Sequence, residues 1–283
     1  MIAVPVHERR AIFRDESVQE EFDRRGYVVL PFLHDSDADR LLRVWQNLAV
    51  AIHGMPFSAS VMSDERPYRD SVSREIANVF QIGIEKLFID YRFSFGNFIA
   101  KRAFALDGIP LHQDAMFVDE HRFESINLWV PLVDVTPENG CLRVMPGSHT
   151  LNTALRGTNR QFPYPQFEAE IERNYLRDVP MRRGWACIMS QRTFHTSYPN
   201  KTGVDRVCAS ALAVPSESEL YYLFQRAGAA DSKIDLYEAD DEFYRYQVFG
   251  APPQGRNFLG QLLPYADQID AERLKSAFLN GIS

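Results

Sequence analysis

From about residue 88 to residue 215 the chain runs as short apolar segments, each closed by a turn signal, and this pattern constrains the fold more than any other. The segments read "FIDYRFSF", "FIAKRAFAL", "SINLWVPLV", "CLRVMP", "WACIMS" and "VCASALAV". They are rich in β-branched and aromatic residues, which suit a pleated, half-buried surface. Between them stand "DGIP", "PENG", "PGSH" and "PNKTG", whose Gly, Pro and Asn punctuate strands rather than continue them. Ahead of this region, "ESVQEEFDRRG" has helical spacing, with Val18 and Phe22 four apart and Gly26 as a stop. "YVVLPFL" follows as a short strand. "DSDADRLLRVWQNLAVAIHG" then reads as an amphipathic helix with Asp35 or Ser36 as N-cap. Leu41, Leu42, Trp45, Leu48 and Ile52 form its apolar face and Gly54 ends it. Many short strands after N-terminal helices indicate an antiparallel sandwich or barrel with helices packed outside.

Residues 150–178 break the rhythm with "RQFPYPQFEAEIERNY", and a long, partly helical insertion of this kind is expected to be a lid over the barrel mouth. The tail carries "EADDEFYRYQ", a loop "GAPPQG" and an amphipathic helix around Ala266–Leu279. With no internal repeat or long linker, one domain over 1–283 is the simplest division: a helical N-terminal region over 1–87, a β core of about 88–215 with its insertion, and an extension over 216–283.

Partners are limited by charge. The net charge is −7 and the Lys and Arg residues are scattered, so neither nucleic acid nor an anionic membrane is expected. No apolar run approaches the roughly 18 residues of a membrane helix. The opening "MIAVPVHERRAIFRDE" is charged within ten residues and lacks a signal-peptide core, so a cytoplasmic protein with a small-molecule substrate is expected. Three cysteines (Cys141, Cys187, Cys208) without a CxxC are expected to be buried free thiols.

The chemistry begins at "PLHQDAMF". On a strand, His112 and Asp114 share a face, which fits either metal ligands or a structural polar pair; the spacing alone does not choose. A third ligand should come from another strand. His7, His34 and His53 stand at the ends of elements, His121 in a charged loop and His149 in a turn. His195, just after "WACIMS", is the best placed. Two imidazoles and one carboxylate form the facial set of non-haem Fe(II) oxygenases, and the same three ligands plus water also describe a hydrolytic zinc site. Arg206 opens the strand "RVCASALAV" and alternates onto one face with Cys208 and Ser210, as a seat for a carboxylate would require. A barrel that binds a small molecule without catalysis is the third alternative.

Taken together, His112-Gln-Asp114, "NLWVPL", "ENGCLRVMPGSH", then His195 with Arg206 eleven residues later, resemble the phytanoyl-CoA dioxygenase family; "FDRRGYVVLPFL" is similar to that family's opening helix and strand. The resemblance covers roughly residues 20–215. It implies a mainly β fold with flanking helices around a double-stranded β-helix (jelly-roll, cupin-like) core, and an Fe(II)-, 2-oxoglutarate- and O2-dependent dioxygenase. Residue by residue, it implies His112, Asp114 and His195 as iron ligands and Arg206, helped by Ser197, on the 2-oxoglutarate distal carboxylate. Trp129 would line the co-substrate site, with Gln113 and Asn97 as further polar contacts. Cys208 departs from the Ser found there in much of the wider superfamily. A carboxylate at 114 favours hydroxylation over halogenation, since related halogenases have a small residue there. For substrate contact the insertion offers Phe162, Tyr164, Phe167 and Tyr175, and Arg92, Lys101 or Arg102 would meet a substrate carboxylate if they face inward.

Overall fold

The computed structural model describes residues 10–48, 55–151, 154–158, 162–225, 233–263 and 266–283. Helix α1 (Glu16–Arg25) begins at Asp15, whose carboxylate accepts from the backbone N–H groups of Ser17 and Val18. It ends at Gly26, with φ 78°, in the left-handed region. A Cβ at Gly26 would lie 2.4 Å from His149 Nδ1, so the turn also needs the missing side chain. Strand β1 (Tyr27–Pro31) follows. In α2 (Asp35–Asn47) the N-cap is His34, without a side-chain cap, so neither Asp35 nor Ser36 caps it. Asp35 and Asp37 fall instead in the first turn, where negative charge complements the helix dipole. Ile52 and Gly54, expected at the end of this helix, lie outside the described residues, as do His7 and His53.

After β2 (Phe57–Ala59) comes α3 (Arg66–Leu87), a 22-residue helix absent from the sequence expectations. Its buried Tyr68, Val72, Ile76, Phe80 and Ile84 recur every four residues and make one face. Strand β3 (Tyr91–Lys101) is one continuous strand of 11 residues where two were expected. Gly96 within it does not mark a turn. It admits α3, for a Cβ there would stand 2.7 Å from Ile76 Cβ.

The remaining core strands are β4 (Ile109–His112), β5 (Ile126–Pro131) and β6 (Leu142–Val144). The insertion holds α4 (Glu168–Glu170), which runs into a π-helical turn at Ile171–Tyr175. Then come β7 (Arg177–Val179), β8 (Trp185–Ser190), β9 (His195–Ser197) and β10 (Arg206–Pro215). The tail forms β11 (Leu220–Phe224), β12 (Ile234–Ala239), α5 (Asp241–Tyr246), β13 (Phe258–Leu262) and α6 (Ala271–Ile282). Helix α6 starts later than expected because Asp270 caps it, accepting from Arg273 N–H.

Six strands pair in the order β1-β8-β5-β10-β3-β2, and four in the order β4-β9-β6-β7. The pairs within both sheets are antiparallel. Residues of both sheets share one core: Tyr27, Trp129, Cys187, Met189 and Cys208 from the first meet Leu142, Val144 and Val179 from the second. This is the jelly-roll sandwich expected. All three cysteines are buried and free. The outer face of the six-stranded sheet is covered by α1, α2 and α3 through Phe22, Leu41, Ile76 and Phe80. A further sheet, β11-β12-β13, has no counterpart in the sequence expectations. No helix among the described residues is long and apolar enough to cross a membrane.

Candidate metal centre and the cavity beside it

Strands β4 and β9 pair so that His112 faces His195 in register, with ring centroids 4.1 Å apart. His112 Nδ1 lies 2.8 Å from the Pro110 carbonyl oxygen, and His195 Nδ1 lies 2.9 Å from that of Thr193. A carbonyl only accepts, so each Nδ1 carries a proton, and in the neutral ring it is Nε2 that offers the lone pair. Both Nε2 atoms stand 3.8 Å from Asp114 Oδ1, too far for a hydrogen bond. The other carboxylate oxygen, Oδ2, accepts from Asn127 Nδ2 at 2.8 Å, and Asn127 Oδ1 accepts from Ser210 Oγ at 2.9 Å. Three ligand atoms thus lie within 4.8 Å of one another. Burial, and then the neighbouring His195 ring, hold the His112 pKa down to about 4, so this imidazole is neutral near pH 7, the form that binds a metal.

Strand alternation does not produce this convergence: β4 ends at His112, and Asp114 belongs to the loop that follows. Arg156 fixes that loop. Its Nε donates to the Asp114 carbonyl at 2.8 Å, its own carbonyl accepts from Met116 N–H at 2.9 Å, and its guanidinium pairs with buried Glu120. Gln113 turns away, as its position between the ligands demands, and donates to the Arg192 carbonyl at 2.6 Å. Arg192 is itself in a buried ion pair with Glu124.

Arg206 opens β10 at 1% exposure. Its Nη1 donates to Cys208 Sγ at 3.1 Å, its guanidinium carbon stands 5.4 Å from the centroid of the Trp129 ring, and its Nε is buried without a hydrogen-bond partner. No carboxylate among the described residues pairs with it; the adjacent Asp205 pairs with Arg102 at 2.6 Å. Opposite Arg206 in register stands fully buried Lys101, which donates to Ser197 Oγ at 3.0 Å and to the Tyr198 carbonyl. Burial, and then Arg206, bring the Lys101 pKa down to about 7. Two cations in one dry corner are costly without an anion.

A cavity of about 390 Å³ lies beside Asp114. Val61, Phe95, Phe117, Leu212 and Phe249 line it, with Asn97, Asn127 and Gln191 as its amides. Asn97 Oδ1 accepts from Ser60 Oγ and from Val61 N–H, so this residue braces the cavity wall. The aromatics expected over the mouth are elsewhere. Phe162, Tyr164, Phe167 and Tyr175 pack with Phe194, Leu274 and Phe278, between the insertion and α6, and none lines the cavity. They follow apolar surface offered by α6, a helix whose position the sequence does not reveal. Arg92 is held by Asp241 and the Pro215 carbonyl, and Lys101 points to Ser197, so none of the three basic candidates lines the cavity either. Sequence reasoning missed Asn127 and Gln191, and it offered Lys101 to a substrate carboxylate where the structure sets it beside Arg206 and Ser197. For Asn127 a signal existed, since it stands on the same strand as Trp129, opposite Leu212 of β10 in register.

Residues 85–208 match the family model described as phytanoyl-CoA dioxygenase (PhyH). Over this segment the chain is similar to the phytanoyl-CoA dioxygenase family. The matched segment contains His112, Asp114, Asn127, His195 and Arg206 and ends at Cys208, so the cavity residue Phe249 lies beyond it. Among curated family relatives, phytanoyl-CoA dioxygenase domain-containing protein 1 of Danio rerio is 27% identical over 117 residues, 39% of this chain. The match spans 40% of that relative's length. Among solved structures, the non-haem alpha-ketoglutarate-dependent carbocyclase SnoK from nogalamycin biosynthesis aligns with a TM-score of 0.54 at 16% identity, over 73% of this chain and 85% of SnoK. HygX from Streptomyces hygroscopicus, solved with nickel and 2-oxoglutarate bound, aligns with a TM-score of 0.51 at 16% identity, over 72% and 88%. These likenesses show a shared fold.

Proposed function

We propose that the protein is an Fe(II)- and 2-oxoglutarate-dependent dioxygenase that hydroxylates an unactivated C–H bond of a small metabolite and releases succinate and carbon dioxide. The observation that carries this reading is Arg206, buried and without a carboxylate among the described residues, beside the buried Lys101. A hydrolytic zinc site would use the same three ligands but leaves these two cations without a role. A binder without catalysis gives no reason for three lone pairs to converge. The match of residues 85–208 to the family model and the 2-oxoglutarate in HygX support the same choice.

His112 Nε2, His195 Nε2 and Asp114 Oδ1 would hold the ferrous ion, two neutral nitrogens and one anionic oxygen being a donor set suited to it. When bound, iron supplies the activation of dioxygen, coupled to oxidative decarboxylation of the oxo acid. The Pro110 and Thr193 carbonyls keep both imidazoles in the binding tautomer, and Asn127 holds Asp114 Oδ2 so that Oδ1 stays turned inward. Arg206, with Lys101 and Ser197 beside it, would bind the distal carboxylate of 2-oxoglutarate, and Trp129 closes that corner against water. The apolar cavity would bring a substrate C–H to Asp114's side of the centre.

Succinate release tests the reading. Succinate should form from 2-oxoglutarate with Fe(II) and oxygen, and should not form with Zn(II) or under nitrogen. Arg206→Met should raise the KM for 2-oxoglutarate by at least about 30-fold, the scale for removing one partner of a buried charge contact. Hydrolytic activity supported by zinc and indifferent to oxygen would overturn it.

A further inference from the structure

We propose that the substrate is an uncharged, mostly apolar molecule bearing one hydroxyl or N–H group, and that Gln191 reads that group. The proposal rests on the oxygenase reading for calling the occupant a substrate; the preference itself is set by the cavity wall.

Of the described side chains lining the cavity, only Asp114 is charged, and its oxygens are turned to the imidazoles and to Asn127. Apart from Arg206 and Lys101, which the oxygenase reading assigns to 2-oxoglutarate, the basic side chains around the site are engaged elsewhere: Arg156 by Glu120, Arg192 by Glu124, Arg92 by Asp241 and Arg102 by Asp205. A carboxylate or phosphate group placed in this cavity would lose its water without gaining a cation, which is strongly unfavourable. The apolar walls, built from Val61, Phe95, Phe117, Leu212 and Phe249, favour hydrocarbon instead.

The amide oxygens of the wall are bonded within it, with one exception. Asn127 is bonded to Asp114 and Ser210, and Asn97 Oδ1 accepts from Ser60 and Val61. Gln191, just past β8, is 3% exposed, and its Oε1 is buried with no donor among the described residues. Of its neighbours, Ser190 Oγ donates to Glu124, and Arg192 Nη2 is paired with the same carboxylate. The tight turn in which Thr193 N–H donates to the Ser190 carbonyl at 3.0 Å fixes Gln191 at the cavity wall. A buried acceptor without a donor is unfavourable, and an occupant with one hydroxyl or N–H removes that cost. The cavity's volume lies in the range of small-molecule sites.

A matched series of probes tests this: geraniol, its deoxy hydrocarbon, geranic acid and geranyl phosphate. Each is titrated calorimetrically into anaerobic protein supplied with Mn(II) and 2-oxoglutarate, and into metal-free protein. Geraniol should bind, the hydrocarbon about 10- to 100-fold more weakly, and the acid and phosphate more weakly still. Gln191→Leu should erase the preference for geraniol over the hydrocarbon, while Gln191→Glu, which retains an acceptor, should preserve it; thermal melts verify that both variants fold. Equal affinity of wild type for geraniol and hydrocarbon would overturn the proposal. So would a preference that survives Gln191→Leu, tight binding of the acid or phosphate, or no binding by any probe. A 2-oxoglutarate titration alone separates the two readings. If 2-oxoglutarate fails to bind while geraniol retains its Gln191-dependent preference, the oxygenase reading falls and the cavity assignment stands. The converse result removes Gln191 alone.

Discussion

Lys101 decides how the deep corner responds to pH. With a pKa near 7 it is half-protonated at neutrality, and a bound dicarboxylate favours its charged form. Below pH 7 the lysine is charged with or without ligand, so affinity is flat; above it, binding must recruit a proton. The affinity for 2-oxoglutarate should therefore fall as the pH rises above 7, by up to about tenfold per unit. Lys101→Met should weaken binding and abolish that slope, and dissociation constants measured between about pH 6 and 9 check both. For the ligand-free fold the sign is opposite: the unfolded lysine keeps its proton to about pH 10.4, so stability rises across the window from 7 to that value. Asn127→Ala, which frees Asp114 Oδ2 and strands Ser210, should lower metal affinity about 10- to 100-fold in a competitive chelator titration. The convergence of His112, Asp114 and His195 and the burial of Arg206 were legible in the sequence because few residue types suit a metal or a buried carboxylate. Gln191 was not, because a carboxamide serves equally well in any turn or strand and only its neighbours show which; Asn127 was marked only by its alternation with Trp129.

At the level of elements, the loop between β4 and β5 matters most, because it carries Asp114 outside any strand. Arg156→Met leaves Glu120 buried and unpaired and lets go of the Asp114 carbonyl. It should cost about 3–5 kcal/mol in denaturant unfolding and weaken metal binding. Adding Glu120→Gln should restore some of the stability but not the metal affinity, since the carbonyl remains unheld. The strands themselves are readable from alternation and turn chemistry. The exception is β3, which Gly96 and Asn97 divide in the sequence, and the division hides that Asn97, Ile99 and Lys101 alternate along one strand toward the site. Helix α3 escapes notice although its buried residues recur every fourth position, since Val72, Ile76, Val79 and Ile84 are β-branched and favour strands locally. Packing against β3 overrides that preference.

Across the whole molecule, the insertion and the C-terminal segment act together. Tyr164 donates through its hydroxyl to the Asp267 carbonyl, and Tyr175 packs against Phe278 at 5.1 Å, so α6 and the insertion bury one apolar cluster. Leu274→Ala should destabilise the fold by about 2–5 kcal/mol in denaturant unfolding while leaving metal and 2-oxoglutarate affinities unchanged. Such long-range pairing is invisible in the sequence, because either partner alone reads as an ordinary amphipathic stretch. The tail also reaches the cavity through Phe249, whose N–H donates to the Val61 carbonyl at 2.9 Å. The central claim spans all three scales: strands distant in sequence bring three donors to one ion, with Arg206 set to hold the chelating acid. Anaerobic titration of the metal-free protein with Fe(II) and then 2-oxoglutarate, followed by visible absorption, tests it most directly. A weak charge-transfer band should appear with wild type, vanish in His112→Ala, and require a higher 2-oxoglutarate concentration in Arg206→Met. No band in wild type, or an undiminished band in His112→Ala, would contradict the account.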